Sequence, residues 1–108
     1  MSLSPSSVGA RFLAAWDLAE ICAHIADHDP NAAQRVGRQL VELINQLSKM
    51  PSLGKPGRVF GTRELVTSKI GRTAYVVVYR IRAEQIEILR VLSGRQDIDQ
   101  ILEEPFLE

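Results

Sequence analysis

The chain predicts an α+β fold, a helix hairpin packed on one face of an antiparallel β-sheet with a short helix at the C-terminal end. Three observations carry that expectation. Apolar residues recur at helical spacing in two blocks before Pro51. Short runs rich in Val, Ile and Tyr then follow from Arg63 onward, as in strands. Pro and Gly residues separate the two halves and punctuate the second.

Residues 1–7 are serine-rich and contain Pro5, which predicts a poorly ordered segment or at most a short edge strand. From about Val8 to Asp27 the pattern is helical. Leu18, Ile21, Cys22 and Ile25 stand at i, i+3, i+4 and i+7, Phe12, Ala14 and Ala15 extend the stripe backward, and Trp16 lies to one side. Asp29 is a suitable N-cap for a second helix and Pro30 suits its first turn. Ala33, Val36, Gly37, Leu40, Leu43, Ile44 and Leu47 form its apolar face, Lys49 complements the dipole, and Pro51 ends it. So short a link makes the pair an antiparallel hairpin. Residues 51–61 read as a loop, 63–67 as a strand and 68–73 as a connection.

In the next strand, Tyr75, Val77, Tyr79 and Ile81 alternate with Val76, Val78 and Arg80. A turn at 82–85 returns the chain as a strand from Ile86 to Leu92, broken by Ser93-Gly94. Residues 97–104 read as a short acidic helix, and 105–108 as poorly ordered. The helix hairpin should cover one sheet face. Aromatic, aliphatic and arginine side chains on the other, only partly covered, would then form the working surface.

With 108 residues the chain is read as a single domain, 1–108. Its only cysteine, Cys22, excludes an internal disulfide and a Cys-rich zinc motif. No basic leader with a long apolar run opens the sequence and no run is long enough to cross a membrane, so a cytoplasmic protein without a membrane partner is expected. The formal net charge of zero hides an asymmetry. Residues 49–95 hold 10 basic and 3 acidic side chains, whereas residues 96–108 hold 5 acidic and none basic. Such a distribution predicts a basic working surface and an acidic tail able to fold back over it.

Several strings together resemble the ParE/RelE superfamily of bacterial type II toxins. They are Asp17-Leu-Ala-Glu-Ile, Asp29-Pro-Asn-Ala-Ala, Pro56-Gly-Arg-Val-Phe-Gly-Thr-Arg-Glu-Leu-Val66, Tyr75-Val-Val-Val-Tyr-Arg80 and Ile88-Leu-Arg-Val-Leu-Ser-Gly-Arg-Gln96. Their order covers residues 17–98. The resemblance implies a twisted antiparallel sheet carrying two N-terminal helices. It also implies a cognate antitoxin, a small DNA-binding protein whose acidic, amphipathic C-terminal segment wraps the toxin. RelE-like members cut mRNA within the ribosome, and ParE-like members inhibit DNA gyrase. Two departures stand out: the N-terminal strand of the family is not evident before the first helix, and Ser93 occupies a position where many relatives carry histidine, with no Tyr or His after it.

Metal-free RNA cleavage needs a base, an acid and cations around the phosphorane. Arg63, Arg80, Arg90 and Arg95 supply charge but not protons, and Tyr75 is the phenol set beside them as a nuclease candidate. That acid/base set is thin, which favours the ParE-like branch: a toxin that binds gyrase, with Trp16, Arg58, Arg63, Tyr79, Arg80, Arg90 and Arg95 as candidates for target or antitoxin contact. A ribosome-dependent endoribonuclease and an inactive antitoxin-binding relative remain the alternatives. Trp16 is read equally as a core anchor or an interface aromatic. Arg58 and Arg72 are read as solvated loop charges, and the strand arginines as partners for Glu64, Glu84 or Glu87. His24 and His28 have the i, i+4 spacing of metal ligands but no third ligand, so they are read as a solvated face. Cys22 is read as a buried structural thiol and Gly54, Gly57 and Gly61 as turn residues. No metal or cofactor is expected.

Overall fold

The computed structural model describes residues 7–83 and 85–103, and the expectations for the extreme termini and for Glu84 fall on residues outside these. The elements are β1 (Ser7–Ala10), α1 (Phe12–Ala26), α2 (Pro30–Gln46), a 3-10 turn (Pro51–Leu53), β2 (Lys55–Pro56), β3 (Arg63–Val66), β4 (Tyr75–Arg82), β5 (Gln85–Ser93) and α3 (Ile98–Ile101). The five strands form one sheet in the order β1-β5-β4-β3-β2. All neighbours are antiparallel except β1, which runs parallel to β5.

The helix hairpin packs on one face of the sheet. Asp29 caps α2, its Oδ1 accepting from Ala32 N at 3.1 Å, with Pro30 in the first turn. Val36, Leu40, Ile44 and Leu47 then pack with Tyr75, Val77, Tyr79, Ile86, Ile88 and Val91 of the sheet. Gly37 faces Cys22 of α1 so closely that a Cβ there would lie 3.1 Å from the thiol sulfur. The small residue lets the two helices meet. The Tyr79 hydroxyl sits at the core's margin, donating to Pro51 O at 2.7 Å and accepting from Gly54 N at 2.8 Å. Gly54 is therefore more than a turn residue, since a Cβ on it would stand 2.8 Å from the Tyr79 hydroxyl oxygen.

Opposite Val78, β5 carries one residue too many: Val78 pairs with Arg90 while Tyr79 pairs with Ile88, leaving Leu89 as the extra residue of a β-bulge. The bulge reverses the alternation of β5, so that Ile88 and Val91 both face the helices while Leu89 and Leu92 face the other way. It also lies beside α1. Asp17 is only 7% exposed and its carboxylate accepts from Arg90 Nε at 2.8 Å, Arg90 Nη2 at 2.9 Å and Val91 N at 2.9 Å. A buried carboxylate thus takes three donors, one of them a backbone amide, and this contact holds the Arg90 guanidinium in its charged form.

Two expectations are corrected. The first helix begins at Phe12, not Val8, because Ser7–Ala10 is drawn into the sheet beside β5, Val8 against Ile86 and Ala10 against Ile88, and Arg11 N continues the link to Ile88 O at 3.0 Å. Phe12 accordingly leaves the buried stripe, which runs through Ala14, Asp17, Leu18, Ile21 and Ile25. Nor is the second sheet face the open working surface. Val76, Val78, Leu89 and Leu92 form a second core there with Ile98 and Leu102 around α3. Above this core, Arg58 clamps buried Glu64 through Nε and Nη2, at 2.9 and 2.8 Å, and reaches Asp99 at 2.9 Å. The Arg58 hydrogen bonds hold the Glu64 carboxyl below the usual glutamate range, against the opposing effect of burial.

Replacing Asp17 by alanine strands the Arg90 charge and the Val91 amide, and should cost about 3 kcal/mol. Urea unfolding would read this as a lower midpoint at an unchanged m-value. Glu64 has a lowered folded pKa, so its ion pair stabilises fully above the ordinary glutamate value of about 4.3. That contribution is lost as pH falls through the folded value. Melting curves from pH 7 to pH 3 should therefore decline less steeply for Glu64→Gln than for the wild type.

Candidate functional site

The strand arginines, which composition offers as a cationic surface, are mostly engaged within the protein. Arg63 donates to the Gly54 carbonyl from Nε at 3.0 Å and again from Nη2, and more weakly to Ser52 O at 3.3 Å. It thereby holds the carbonyls of the loop that leads into β2. Arg80 donates to Glu87 at 2.6 Å, and this bond lowers the Glu87 carboxyl below its usual range. Arg11 and Arg82 approach the same carboxylate at 3.8 and 3.9 Å. Arg90 is held by Asp17 and Arg58 by Glu64 and Asp99. Tyr79 is buried with its hydroxyl occupied on both sides. Arg58, Arg63, Arg80, Arg90 and Tyr79 therefore do not converge on one open surface.

A different group does converge. At the end of the helix hairpin, α1 and the start of α2 face the 70–73 turn and the residue after the β5 corner across a cleft of about 530 Å³. His24 and His28 come from one side, Arg72 and Arg95 from the other, with Tyr75 at the base. The two imidazoles stand edge to face, with ring centroids 6.2 Å apart. Gly71, at φ 71°, turns the chain so that Arg72 borders the cleft. Gly94 N donates to Ala74 O at 2.8 Å and Arg95 N to Ser93 Oγ at 3.1 Å, which fixes the start of the Arg95 side chain. Among the described residues neither Arg72 nor Arg95 has a carboxylate within ion-pair distance. Burial raises the Tyr75 phenol above its usual pKa, so at neutral pH it stays protonated.

The outer side of α1 carries a second stripe. Phe12 is 77% and Trp16 55% exposed, and the rings stack with centroids 6.5 Å apart. Ala19 and Ala23 continue the line at helical spacing, both exposed. Next to it, Cys22, Ala23, Ala26, Pro30, Ala33, Gln34 and Gly37 line an open apolar groove of about 430 Å³ between the helices. Cys22 is only partly buried. The exposure of Trp16 means that it is not a core anchor.

Of the residues proposed from the sequence, Tyr75 and Arg95 share the cleft at the end of the helix hairpin. Those that sequence reading set aside, His24, His28 and Arg72, complete it. The i, i+4 spacing of the histidines did signal a shared face, and what it could not supply was the pair of arginines opposite. No group of three or more His, Cys, Asp or Glu residues able to hold a metal occurs among the described residues. No described helix is long and apolar enough to cross a membrane.

Comparison with known proteins agrees with this architecture. Residues 13–98 match the family described as the ParE toxin of the type II toxin-antitoxin system, parDE. Protein Y4kP of Sinorhizobium fredii is 40% identical over 85 residues, covering 79% of this chain and 84% of its own. Toxin RelE1 of Caulobacter vibrioides is 28% identical over 78 residues, covering 72% of this chain and 82% of its own. Among solved structures, the chromosomal ParDE toxin–antitoxin system of P. aeruginosa aligns with a TM-score of 0.73 at 26% identity, over 84% of this chain and 98% of that one. The RelBE2 toxin–antitoxin complex of Mycobacterium tuberculosis aligns with a TM-score of 0.62 at 27% identity, over 82% and 98%. The helix hairpin on a five-stranded sheet, and the motifs that build it, thus place the chain in the ParE toxin family of type II toxin–antitoxin systems, within the ParE/RelE superfamily.

Proposed function

We propose that this toxin acts in the cytoplasm by binding DNA gyrase, and that a cognate antitoxin with an acidic, amphipathic C-terminal segment neutralises it. One observation carries the reading: of the four guanidinium groups offered for a scissile phosphate, Arg63, Arg80 and Arg90 are spent on internal carboxylates and carbonyls, which leaves Arg95. Arg58, Arg63, Arg80 and Arg90 all have such partners, and the Tyr79 hydroxyl is closed off by Pro51 and Gly54. Residues committed in this way stabilise a rigid body that presents a surface. The exposed Phe12–Trp16 pair is the kind of anchor that dominates protein–protein contacts. Two of the solved neighbours are a ParDE system and a RelBE2 complex, which supports an antitoxin partner here.

A second reading, a ribosome-dependent endoribonuclease, is favoured by the cleft. His24 and His28 are accessible imidazoles across from Arg72 and Arg95, a set able to exchange protons beside a phosphate. Two assays run together separate the readings. Purified toxin should block gyrase supercoiling in a dose-dependent manner, while primer extension on translated mRNA should show no new 5′ ends. Unchanged supercoiling at saturating toxin, with cuts at A-site codons, would reverse the order.

Trp16→Ala should weaken gyrase inhibition at least about tenfold. Because the side chain is largely exposed, stability should move by less than about 0.5 kcal/mol. Supercoiling titrations beside urea unfolding of the same variant check both.

A further inference from the structure

The cleft at the end of the helix hairpin combines three properties that together specify a ligand. Its rim is cationic. Arg72 and Arg95 are exposed and have no carboxylate partner among the described residues, in contrast to Arg58, Arg80 and Arg90. His24 and His28 add two more nitrogen-bearing rings on the facing side. The one carboxylate in the lining, Asp29, is turned to cap α2 through Ala32 N. The inner lining, by contrast, is largely aliphatic: Ile25, Val36 and Ile70 line it together with the buried Tyr75 ring. Finally, no exposed Phe, Tyr or Trp ring belongs to the lining. Tyr75 is only 4% exposed, and the exposed rings of Phe12 and Trp16 lie two turns or more back along α1.

We infer that the His24–His28–Arg72–Arg95 cleft is the seat for an acidic, amphipathic peptide segment, specifically that of the antitoxin. Carboxylates of the segment would meet Arg72 and Arg95, and an aliphatic side chain of it would lie on Ile25, Val36 and Ile70. Guanidinium forks match carboxylates in two-point geometry, and an aliphatic lining adds apolar burial that a lone anion could not use. Single-stranded nucleic acid suits the cleft less well, because it uses an extended basic track rather than two cations beside an aliphatic lining. The inference rests on the antitoxin partnership proposed above and is independent of the choice between gyrase and ribosome.

Titration calorimetry with the antitoxin, on wild-type toxin and variants, tests it. Arg72→Gln and Arg95→Gln should each weaken binding about tenfold, the loss of a charge-assisted contact. The double variant should also show a shallower dependence on salt. His24→Gln with His28→Gln should give a smaller loss. Arg38→Gln, an exposed change on α2 outside the cleft, should leave affinity unchanged. Melting temperatures within about two degrees of wild type would show that the fold is retained. Full antitoxin affinity in the Arg72→Gln/Arg95→Gln double variant would overturn the proposal. So would the same substitutions abolishing the binding of a short single-stranded RNA while sparing the antitoxin. Failure of wild-type toxin to bind antitoxin at all would remove the partnership itself, a result distinct from intact binding that ignores the cleft.

Discussion

The carboxylate of Asp17 fastens the helix layer to the sheet, and the orientation of the exposed faces of α1 follows from it. It meets Arg90 through two guanidinium nitrogens and Val91 through its amide, at the point where a β-bulge interrupts β5. A contact with three donors fixes rotation about the helix axis as well as distance, which apolar packing alone does loosely. Once Asp17 faces the sheet, helical geometry decides the rest of α1. Residue 24 falls on nearly the same line as 17, about 10 Å further along, and His28 follows in the turn after the helix, so both histidines border the cleft. Residues 12 and 16 are turned away from that line, and the Phe12–Trp16 pair faces solvent. Two distinct surfaces thus derive their orientation from one buried ion pair.

The cost of this arrangement is the desolvation of charge. Buried ion pairs seldom add net stability over apolar substitutes, but breaking one is expensive, so they penalise alternative packings more than they favour the native one. Arg58 repeats the device on buried Glu64, and Arg80 with Glu87 forms a more exposed pair elsewhere in the sheet. Together with Arg63 on the Gly54 carbonyl, they explain how a segment so rich in arginine can form a sheet with both faces buried. Much of the arginine charge of the strands is thus structural, while Arg72 and Arg95 stay exposed.

How far the chain could be read from its sequence depended on the kind of interaction involved. α2 was legible throughout, because Ala33, Val36, Leu40, Ile44 and Leu47 keep one helical period and Asp29-Pro30 marks its start. β4 and β5 were legible through their Val, Ile and Tyr content. β1 was not, since four small residues, Ser7–Ala10, gain their extended form only by pairing with a strand nearly eighty residues away. Asp17 escaped notice because a search for apolar periodicity discounts a carboxylate inside the stripe. The bulge at Leu89 was hidden for a related reason, as one inserted residue looks like noise in a run that is apolar on both faces. The cleft draws on positions 24, 28, 72, 75 and 95, and no local pattern links them.

The acidic C-terminal segment shows why charge in one part of this chain does not cancel charge in another. Asp99 does fold back onto a basic residue, but that residue is Arg58, above the second sheet face. Asp97 is occupied in capping α3, through Gln100 N at 3.3 Å. The apolar side chains Ile98 and Leu102 hold α3 against Val76, Val78, Leu89 and Leu92, on the side away from the helix hairpin. The sheet therefore stands between the described acidic residues of this segment and the cleft. A cation at the surface loses little by staying unpaired in water, so nothing in folding requires Arg72 and Arg95 to find a partner within the chain. Their charge remains available, in a concave place with a largely aliphatic lining, for an anion that arrives on another molecule.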